Sequence, residues 1–361
     1  MMNPGKVASY AMRNGEYRIS RGGLRPTSAS CEITDEYGEQ TLIGKCHRAE
    51  WYRLHGIEAT NPPSDIAFVK FQVGRDMETG FQELWKNQGV LLDSNVLNYG
   101  AIPFDFGDDS DKDKEMIISG ESDALLWMHE CDGDGKVTSI DRSKAVGLEM
   151  KTTRNYYAIK EITGRGNKLY PTGKPKMEHI MQVAMYLLTK EKHEKHYGVE
   201  IPYYIIYYLF VDSGDSKQFK VSLSKKGEVI VTDIDNRPIV PDPAYTLDTG
   251  IAVVPWSGLT IDNITKRYAE LMVKLEGDAP PDRDHVLRYD EATAKHRFET
   301  GQLSKTKHNE WLKKPLATVG DWQCGWCDFR DHCYPCGVLT PDVESGLLTV
   351  DDAMKELGYD A

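Results

Sequence analysis

Two stretches decide the fold of this chain: MIISGESDALLWM at positions 116–128 and AVGLEMKT at positions 145–152. Each is a strand-length run rich in apolar residues, and Asp132-Gly-Asp-Gly135 lies between them, so the pair reads as two strands of a hairpin closed by a polar turn. Acids at Glu130, Asp132, Asp134 and Asp141 partly imitate a calcium-binding EF-hand loop. An EF-hand needs a helix on each side and a closing glutamate, whereas these flanks read as strands and the closing acid is Asp141.

Outward from the hairpin, positions 176–191 carry Met177, Ile180, Met181, Ala184, Met185, Leu187 and Leu188 in the stripe of a sheet-facing helix. Strong strands follow at 203–211 and 219–223. On the other side, Phe68, Phe71, Val73, Met77, Phe81, Leu84 and Trp85 predict an amphipathic helix within 65–90 that packs on the sheet, with Gly74 and Gly80 weighing against an unbroken one. Positions 44–56 read as a short helix bearing Cys46 and Trp51, and the first forty residues show no clear period. The acidic 104–115 segment reads as a solvated loop. Beyond Pro238 comes Pro-punctuated loop, then a helix at 261–276 with Ile261, Ile264, Tyr268, Leu271, Met272 and Leu275 on one face and Gly277 after its end. This order predicts an α/β fold with a mixed central sheet flanked by helices. Its segments are an N-terminal segment at 1–64, a core at 65–235, a helical and loop extension at 236–320, and a cysteine-rich stretch with an acidic tail at 321–361.

At 361 residues the chain has room for roughly two domains, or one with large insertions. With 40% hydrophobic and 28% charged residues, 31 Gly and 17 Pro, the composition excludes wholesale disorder, collagen and a disulfide scaffold. A net charge of −12 argues against coating nucleic acid over the whole surface and confines any DNA site to a local basic patch. No signal-like opening and no membrane-length apolar run are present, so the expected setting is intracellular, cytoplasmic and free of a membrane partner.

Glu149 and Lys151 stand two apart in a strand and therefore share a face, about 6.6 Å apart along the chain. If the preceding strand pairs with this one, Asp123 lies beside Glu149, and two converging carboxylates hold a hard cation such as Mg²⁺ or Mn²⁺. Such a site suits phosphodiester hydrolysis, because the cation activates water and offsets charge on the phosphate while the ammonium steadies it. Taken alone, one Glu-x-Lys pair in a strand is a surface ion pair. The order Gly120-x-x-Asp123, Glu149-x-Lys151, Gln182-x-x-x-Tyr186 changes that reading, since Gln182 and Tyr186 share a helix face.

In that order the motifs resemble the PD-(D/E)XK nuclease superfamily, specifically its RecB-like branch, which has a restriction-endonuclease-like core. The resemblance implies metal ligands at Asp123 and Glu149, a catalytic lysine at Lys151, a supporting pair at Gln182 and Tyr186, and products with 5′-phosphates. It covers scattered motifs between about residues 44 and 336, with most of the intervening sequence unmatched. The branch usually carries a histidine four residues after a helix glycine. Here Gly74 is followed at that spacing by Glu78, which is a competent ligand for a hard cation and, equally, a residue type that is mostly exposed.

Of seven cysteines, four fall at Cys324, Cys327, Cys333 and Cys336. Cys324-x₂-Cys327-x₅-Cys333 lets one loop wrap three thiolates around a metal, with Cys336 as a substitute for Cys333 and Cys46, His47 or His332 as further donors. Cys31 and Cys131 read as small residues or free thiols. A remote N-terminal cysteine, Cys46, with this C-terminal trio is similar to the [4Fe-4S] staple of AddB-type and CRISPR-associated spacer-acquisition nucleases. The resemblance implies a structural cluster joining the N- and C-terminal segments, and Zn²⁺ is the alternative occupant.

Positions 151–176 hold seven basic residues against the single acid Glu161. Arg154, Lys160, Arg165, Lys168, Lys174 and Lys176, with Tyr156, Tyr157 and Tyr170 between them, are the equipment of a single-strand groove, although such a run is otherwise a solvated loop. The expectation is therefore a metal-dependent DNA exonuclease acting on single-stranded or frayed ends, with recombination or replication proteins as partners and DNA repair or a phage among its settings. A structure-specific endonuclease with the same site, and a non-catalytic iron-sulfur DNA-binding protein, are the alternatives. Polarity, DNA versus RNA, pathway and oligomeric state are not encoded in these motifs.

Overall fold

The computed structural model describes residues 23–103, 115–242, 244, 252–314 and 317–334. The opening residues to 22, most of the acidic 104–115 segment, Cys336 and the acidic tail lie outside the described residues. In chain order the elements are β1 (Ser30–Thr34), β2 (Gln40–Gly44), α1 (His47–Leu54), α2 (Asp65–Asn87), β3 (Leu91–Pro103), β4 (Glu115–Cys131) and β5 (Val137–Thr153). Then come α3 (Tyr156–Thr163), α4 (Met177–Leu188), α5 (Lys190–Tyr197), β6 (Tyr204–Phe210), β7 (Ser216–Leu223), β8 (Val229–Asp233) and α6 (Ile261–Leu275). The last are α7 (Glu291–Glu299), α8 (Lys305–Lys313) and two four-residue turns of helix, α9 (Trp322–Gly325) and α10 (Arg330–Cys333). The described residues fall into two units, one drawn from Met1–Lys45, Asp65–Tyr245 and Val253–Gly277, the other from Cys46–Ser64, Thr246–Ala252 and Asp278–Ala361.

The first unit is α/β. Its sheet runs β3-β4-β5-β6-β7-β8, antiparallel throughout except for the parallel pair β5–β6, which the α3–α4–α5 crossover makes possible. β4 and β5 are the expected hairpin, and the Asp132 amide and the Lys136 carbonyl close its turn at 3.0 Å. The β4–β5 ladder stops at Ala124↔Leu148. Beyond that point β4 pairs with β3 and bridges Leu24, and β5 pairs with β6, so the two strands part where Asp123 and Glu149 sit.

Two helices cover the sheet. α4 is apolar nearly all round and buried from Ile180 to Leu187, because it lies between the sheet and the β1–β2 ribbon. Gly44 of β2 faces it so closely that an added Cβ would stand 2.7 Å from Met181 Cε. On the other side, Trp85 of α2 packs with Leu91 and Ile205 over Ala124, Leu126 and Leu148. The two glycines do not interrupt α2, which runs unbroken for 23 residues because sheet packing outweighs their weak propensity. Its buried stripe is narrower than the periodicity predicts. Phe68 and the polar Gln82 are buried, whereas Phe71, Met77 and Leu84 are exposed.

β1, β2, β3, β8 and α3 were not legible as elements. β3 mixes polar and apolar residues along one edge of the sheet, and α3 carries exposed Tyr156 and Tyr157 in place of an apolar stripe. What starts α3 is a cap: the Asn155 side chain accepts hydrogen bonds from the amides of Tyr157 at 2.9 Å and Ala158 at 3.1 Å. Asn155→Ala is expected to cost about 1 kcal/mol of stability, read as a lower denaturation midpoint.

The second unit is helical. Arg288 ties its loops, donating to the carbonyls of Trp311 at 2.7 Å, Ala317 at 3.0 Å and Lys314 at 3.1 Å.

Candidate active site

The end of the β4–β5 ladder leaves the Met150 amide without a β4 carbonyl, and Asp123 Oδ2 accepts it at 2.5 Å. That bond turns the Asp123 carboxylate toward β5 beside Glu149. Glu149 is only 3% exposed, and its Oε1 accepts hydrogen bonds from Lys151 Nζ at 2.5 Å and Gln182 Nε2 at 2.7 Å. Gln182 Nε2 also lies 2.8 Å from the Tyr186 hydroxyl, which itself donates to the Glu121 carbonyl at 2.7 Å. The structure thus brings Asp123, Glu149, Lys151, Gln182 and Tyr186 together.

Gln182 and Tyr186 lie against Glu149, Gln182 donating to the same Oε1 as Lys151. They anchor Glu149, because Tyr186 is 1% exposed and one turn of α4 separates the two side chains. The glycine of the first motif has a packing reason: a Cβ on Gly120 would stand 2.7 Å from the Pro26 ring. Glu78 of α2 accepts a hydrogen bond from Gln82 Nε2 at 3.2 Å, and the same nitrogen reaches the Asp123 carbonyl at 2.9 Å.

The charges bear on one another. Burial, then Glu149 and Glu78, hold the Asp123 carboxyl well above the usual carboxylate range against the opposing pull of Lys151. Burial and Glu149 likewise raise Glu78. Burial acts to lower Lys151, but Glu149, Asp123 and Glu78 more than offset it and leave the ammonium above its ordinary value. The remaining Glu149 oxygen, Oε2, is buried and has no hydrogen-bond partner among the described residues. An anionic oxygen without a donor is costly to bury, and beside two further carboxylates its natural complement is a cation. Among the described residues, no group of three or more His, Cys, Asp or Glu side chains stands at metal-holding spacing.

A carboxylate whose folded pKa is raised favours the folded state at low pH and disfavours it as pH rises through the raised value. Metal-free Asp123→Asn protein is therefore expected to melt above wild type, with the gap widening as pH rises from the ordinary carboxylate range towards the raised value. Thermal melts in a chelator across that range check it.

The basic stretch is only partly displayed. Tyr156 and Tyr157 are 61% and 80% exposed, and Lys160 lies over the Tyr156 ring. Arg154 meets Asp212 at 3.5 Å and Arg165 meets Asp215 at 3.9 Å, exposed pairs of little strength. Lys168 is exposed and Lys176 half-buried at the start of α4. Tyr170 is not a surface ring: it is 1% exposed, and Trp256 Nε1 donates to its hydroxyl. Lys174 is held under the surface between Glu36 at 3.2 Å and Glu161 at 3.9 Å, which removes it from the set of free cations.

The second unit contains Cys46, Cys324, Cys327 and Cys333. Cys46 precedes α1, Cys324 and Cys327 flank the end of α9, and Cys333 ends α10. Burial first, then Cys46, Asp321, Cys333 and Cys327, push the Cys324 thiol up, so these groups lie within electrostatic reach of it, although no three of them stand at metal-holding spacing among the described residues. Arg283 Nε donates to Cys333 Sγ at 3.2 Å, and Arg48 Nη1 lies 4.0 Å from the same sulfur. Guanidiniums at a sulfur suit the thiolates that a metal or cluster needs. His332 is turned away, its Nε2 within 2.9 Å of the Glu58 carbonyl, and His47 is buried with its amide donating to Asp284 at 2.6 Å. Cys31 is fully buried and Cys131 exposed.

No known protein family's description matches the chain, and no curated protein matches it. Among solved structures, a crystal structure of SSO0001 is 15% identical, with a TM-score of 0.32, covering 61% of this chain and 77% of that one. So slight a likeness bears on neither fold nor function. Among the described residues, no helix is long and apolar enough to cross a membrane.

Proposed function

We propose that the chain is a metal-dependent DNA nuclease of the PD-(D/E)XK type, RecB-like, acting as an exonuclease on single-stranded or frayed ends in the cell interior. The observation that carries this reading is the buried Glu149 Oε2, unpartnered beside Asp123, Glu78 and the Lys151 ammonium. Asp123 and Glu149 would hold Mg²⁺ or Mn²⁺, and Glu78, whose charge bears on both, would join them only on a shift from its present spacing. When bound, the cation supplies an activated water and offsets charge on the scissile phosphate. An all-oxygen set without imidazole favours those hard cations over softer ones.

The chain's own residues do the rest. Gln182, itself bonded to the Tyr186 hydroxyl, holds Glu149 through Oε1, which leaves Oε2 as the oxygen that would meet the cation. Lys151 keeps a fixed positive charge there to steady the phosphate and orient water. Tyr156, Tyr157, Lys160 and the weakly paired Arg154 and Arg165 offer stacking faces and cations to a single strand. Cys46, Cys324, Cys327 and Cys333 would hold a [4Fe-4S] cluster as a structural group of the second unit.

The test is cleavage of end-labelled linear single-stranded DNA by anaerobically purified protein in Mg²⁺ or Mn²⁺, beside a chelator control. Metal-dependent shortening from one end supports the reading. Cutting of closed single-stranded circles would make the enzyme an endonuclease, and an inert protein that still binds DNA would make it a binding protein. Iron and sulfide should be recovered with the chain, and stoichiometric zinc without iron would refute the cluster.

A further inference from the structure

His179 lies on α4 one turn before Gln182, on the same side of the helix. Its Nδ1 is 2.8 Å from the hydroxyl of Tyr208, the cross-strand partner of Lys151 in the β5–β6 pair. The ring therefore belongs to the Lys151 side of the site, and Lys151 exerts the strongest charge effect on it, ahead of Lys176.

A full accounting of hydrogen bonds determines which imidazole nitrogen carries the proton. Tyr208 is 1% exposed, and its oxygen already accepts the Lys176 amide at 3.0 Å. Its own O–H needs an acceptor, and His179 Nδ1 is the one within reach among the described residues. Nδ1 is thus the unprotonated nitrogen, and Nε2 carries the hydrogen. Burial, then the two lysines, keep the imidazole neutral, consistent with that tautomer. Nε2–H has no protein acceptor among the described residues. The ring presents a neutral donor beside Lys151, at the place where the proposed reaction puts an anionic oxygen.

We propose that His179 is a substrate-contacting residue, its Nε2–H donating to a non-bridging oxygen of the DNA backbone at or next to the scissile phosphate. The proposal rests on the phosphodiesterase reading of the Glu149 and Lys151 site. It excludes a general-base role, since Nδ1 is held by the Tyr208 hydroxyl and the remaining nitrogen carries the proton.

Two variants separate this contact from a purely structural role. Asparagine reproduces the Nδ1 acceptor for Tyr208 and removes the Nε2 donor. Glutamine places a donor near Nε2 and gives up the link to Tyr208. His179→Asn is expected to melt like wild type yet bind a single-stranded oligonucleotide in Ca²⁺, and cleave it in Mg²⁺, roughly tenfold or more weakly. His179→Gln is expected to recover most of that loss. If His179→Asn is unimpaired, or if His179→Gln is the worse of the two, the contact is refuted and the ring merely supports Tyr208. A measurement independent of either variant is the ¹⁵N spectrum of histidine-labelled wild type, in which the Nε2 signal of His179 should shift when the oligonucleotide is added in Ca²⁺. An unmoved signal overturns the proposal. A wild type that neither binds nor cuts would overturn the site reading as well, whereas loss of activity in Lys151→Ala with none in His179→Asn would overturn this proposal alone.

Discussion

Lys151→Ala protein is expected to lose at least about a hundredfold of its strand-cleaving rate, with DNA binding in Ca²⁺ far less affected. The ammonium sits 2.5 Å from Glu149 Oε1 and is held above its ordinary pKa by Glu149, Asp123 and Glu78 against the opposing effect of burial. It is charged throughout the neutral range, so its contribution is electrostatic, and it adds no titrating limb to the pH–rate profile below about pH 9. Its removal also leaves Glu149 with Gln182 as its remaining side-chain donor. Because the Lys151 side chain is 25% exposed, water replaces part of the lost interaction, and the stability cost should be only about 1 kcal/mol. Lys151→Arg keeps the charge against Glu149 and controls for folding. A single-turnover rate for Lys151→Ala within threefold of wild type, in roughly the same metal concentration, would remove the lysine from the mechanism.

Gly147→Val is expected to prevent stable folding of the first unit. Gly147 lies in β5 opposite Leu125, two residues before Glu149, and a Cβ there would stand 2.0 Å from Tyr204 Cε1 and 2.2 Å from its Cδ1. The ring cannot give way freely. Tyr204 is fully buried, its hydroxyl lies 3.5 Å from Asn98 Oδ1, and it packs against Tyr186 with ring centres 5.7 Å apart. Alanine alone should cost about 1–3 kcal/mol, since overpacking a filled interior forces rotamer and backbone shifts, and valine adds two methyl groups to the same clash. The damage passes to chemistry through Tyr186, which hydrogen-bonds Gln182 and so holds Glu149. Circular dichroism melts should show Gly147→Ala with a lower midpoint and a weaker stabilisation by Mg²⁺, and Gly147→Val with no cooperative transition. A Gly147→Val protein that melts like wild type would mean that Tyr204 has another place to go.

The hairpin was legible because both strands are long apolar runs bounded by a Gly-Asp turn, and α4 because nearly every residue from Ile180 to Leu187 is buried. The carboxylates, the lysine and the Gln-Tyr pair were legible because strand and helix periods fix which side chains share a face. β3 was not, since an edge strand half open to water needs no consistent apolar pattern. Tyr170 and Lys174 misled for a related reason. Composition cannot separate a displayed ring from one tucked under Trp256, nor a free lysine from one clasped by Glu36 and Glu161.

What the sequence determines by itself is local: the β4–β5 hairpin, the helical stripe of α4, the pairing of Glu149 with Lys151, and the spacing of Gln182 and Tyr186. Each follows from a repeat of two or of 3.6 residues, which needs no knowledge of the rest of the chain. Tertiary structure alone decides that the β4–β5 ladder ends at Ala124↔Leu148, and that Asp123 takes the orphaned Met150 amide. It alone turns Gln182 onto Glu149, leaves Glu149 Oε2 without a partner among the described residues, and sets Tyr208 to fix the His179 tautomer. The physical reason is that desolvation and hydrogen-bond satisfaction depend on which groups are excluded from water together, a property of the packed chain that no spacing along it encodes.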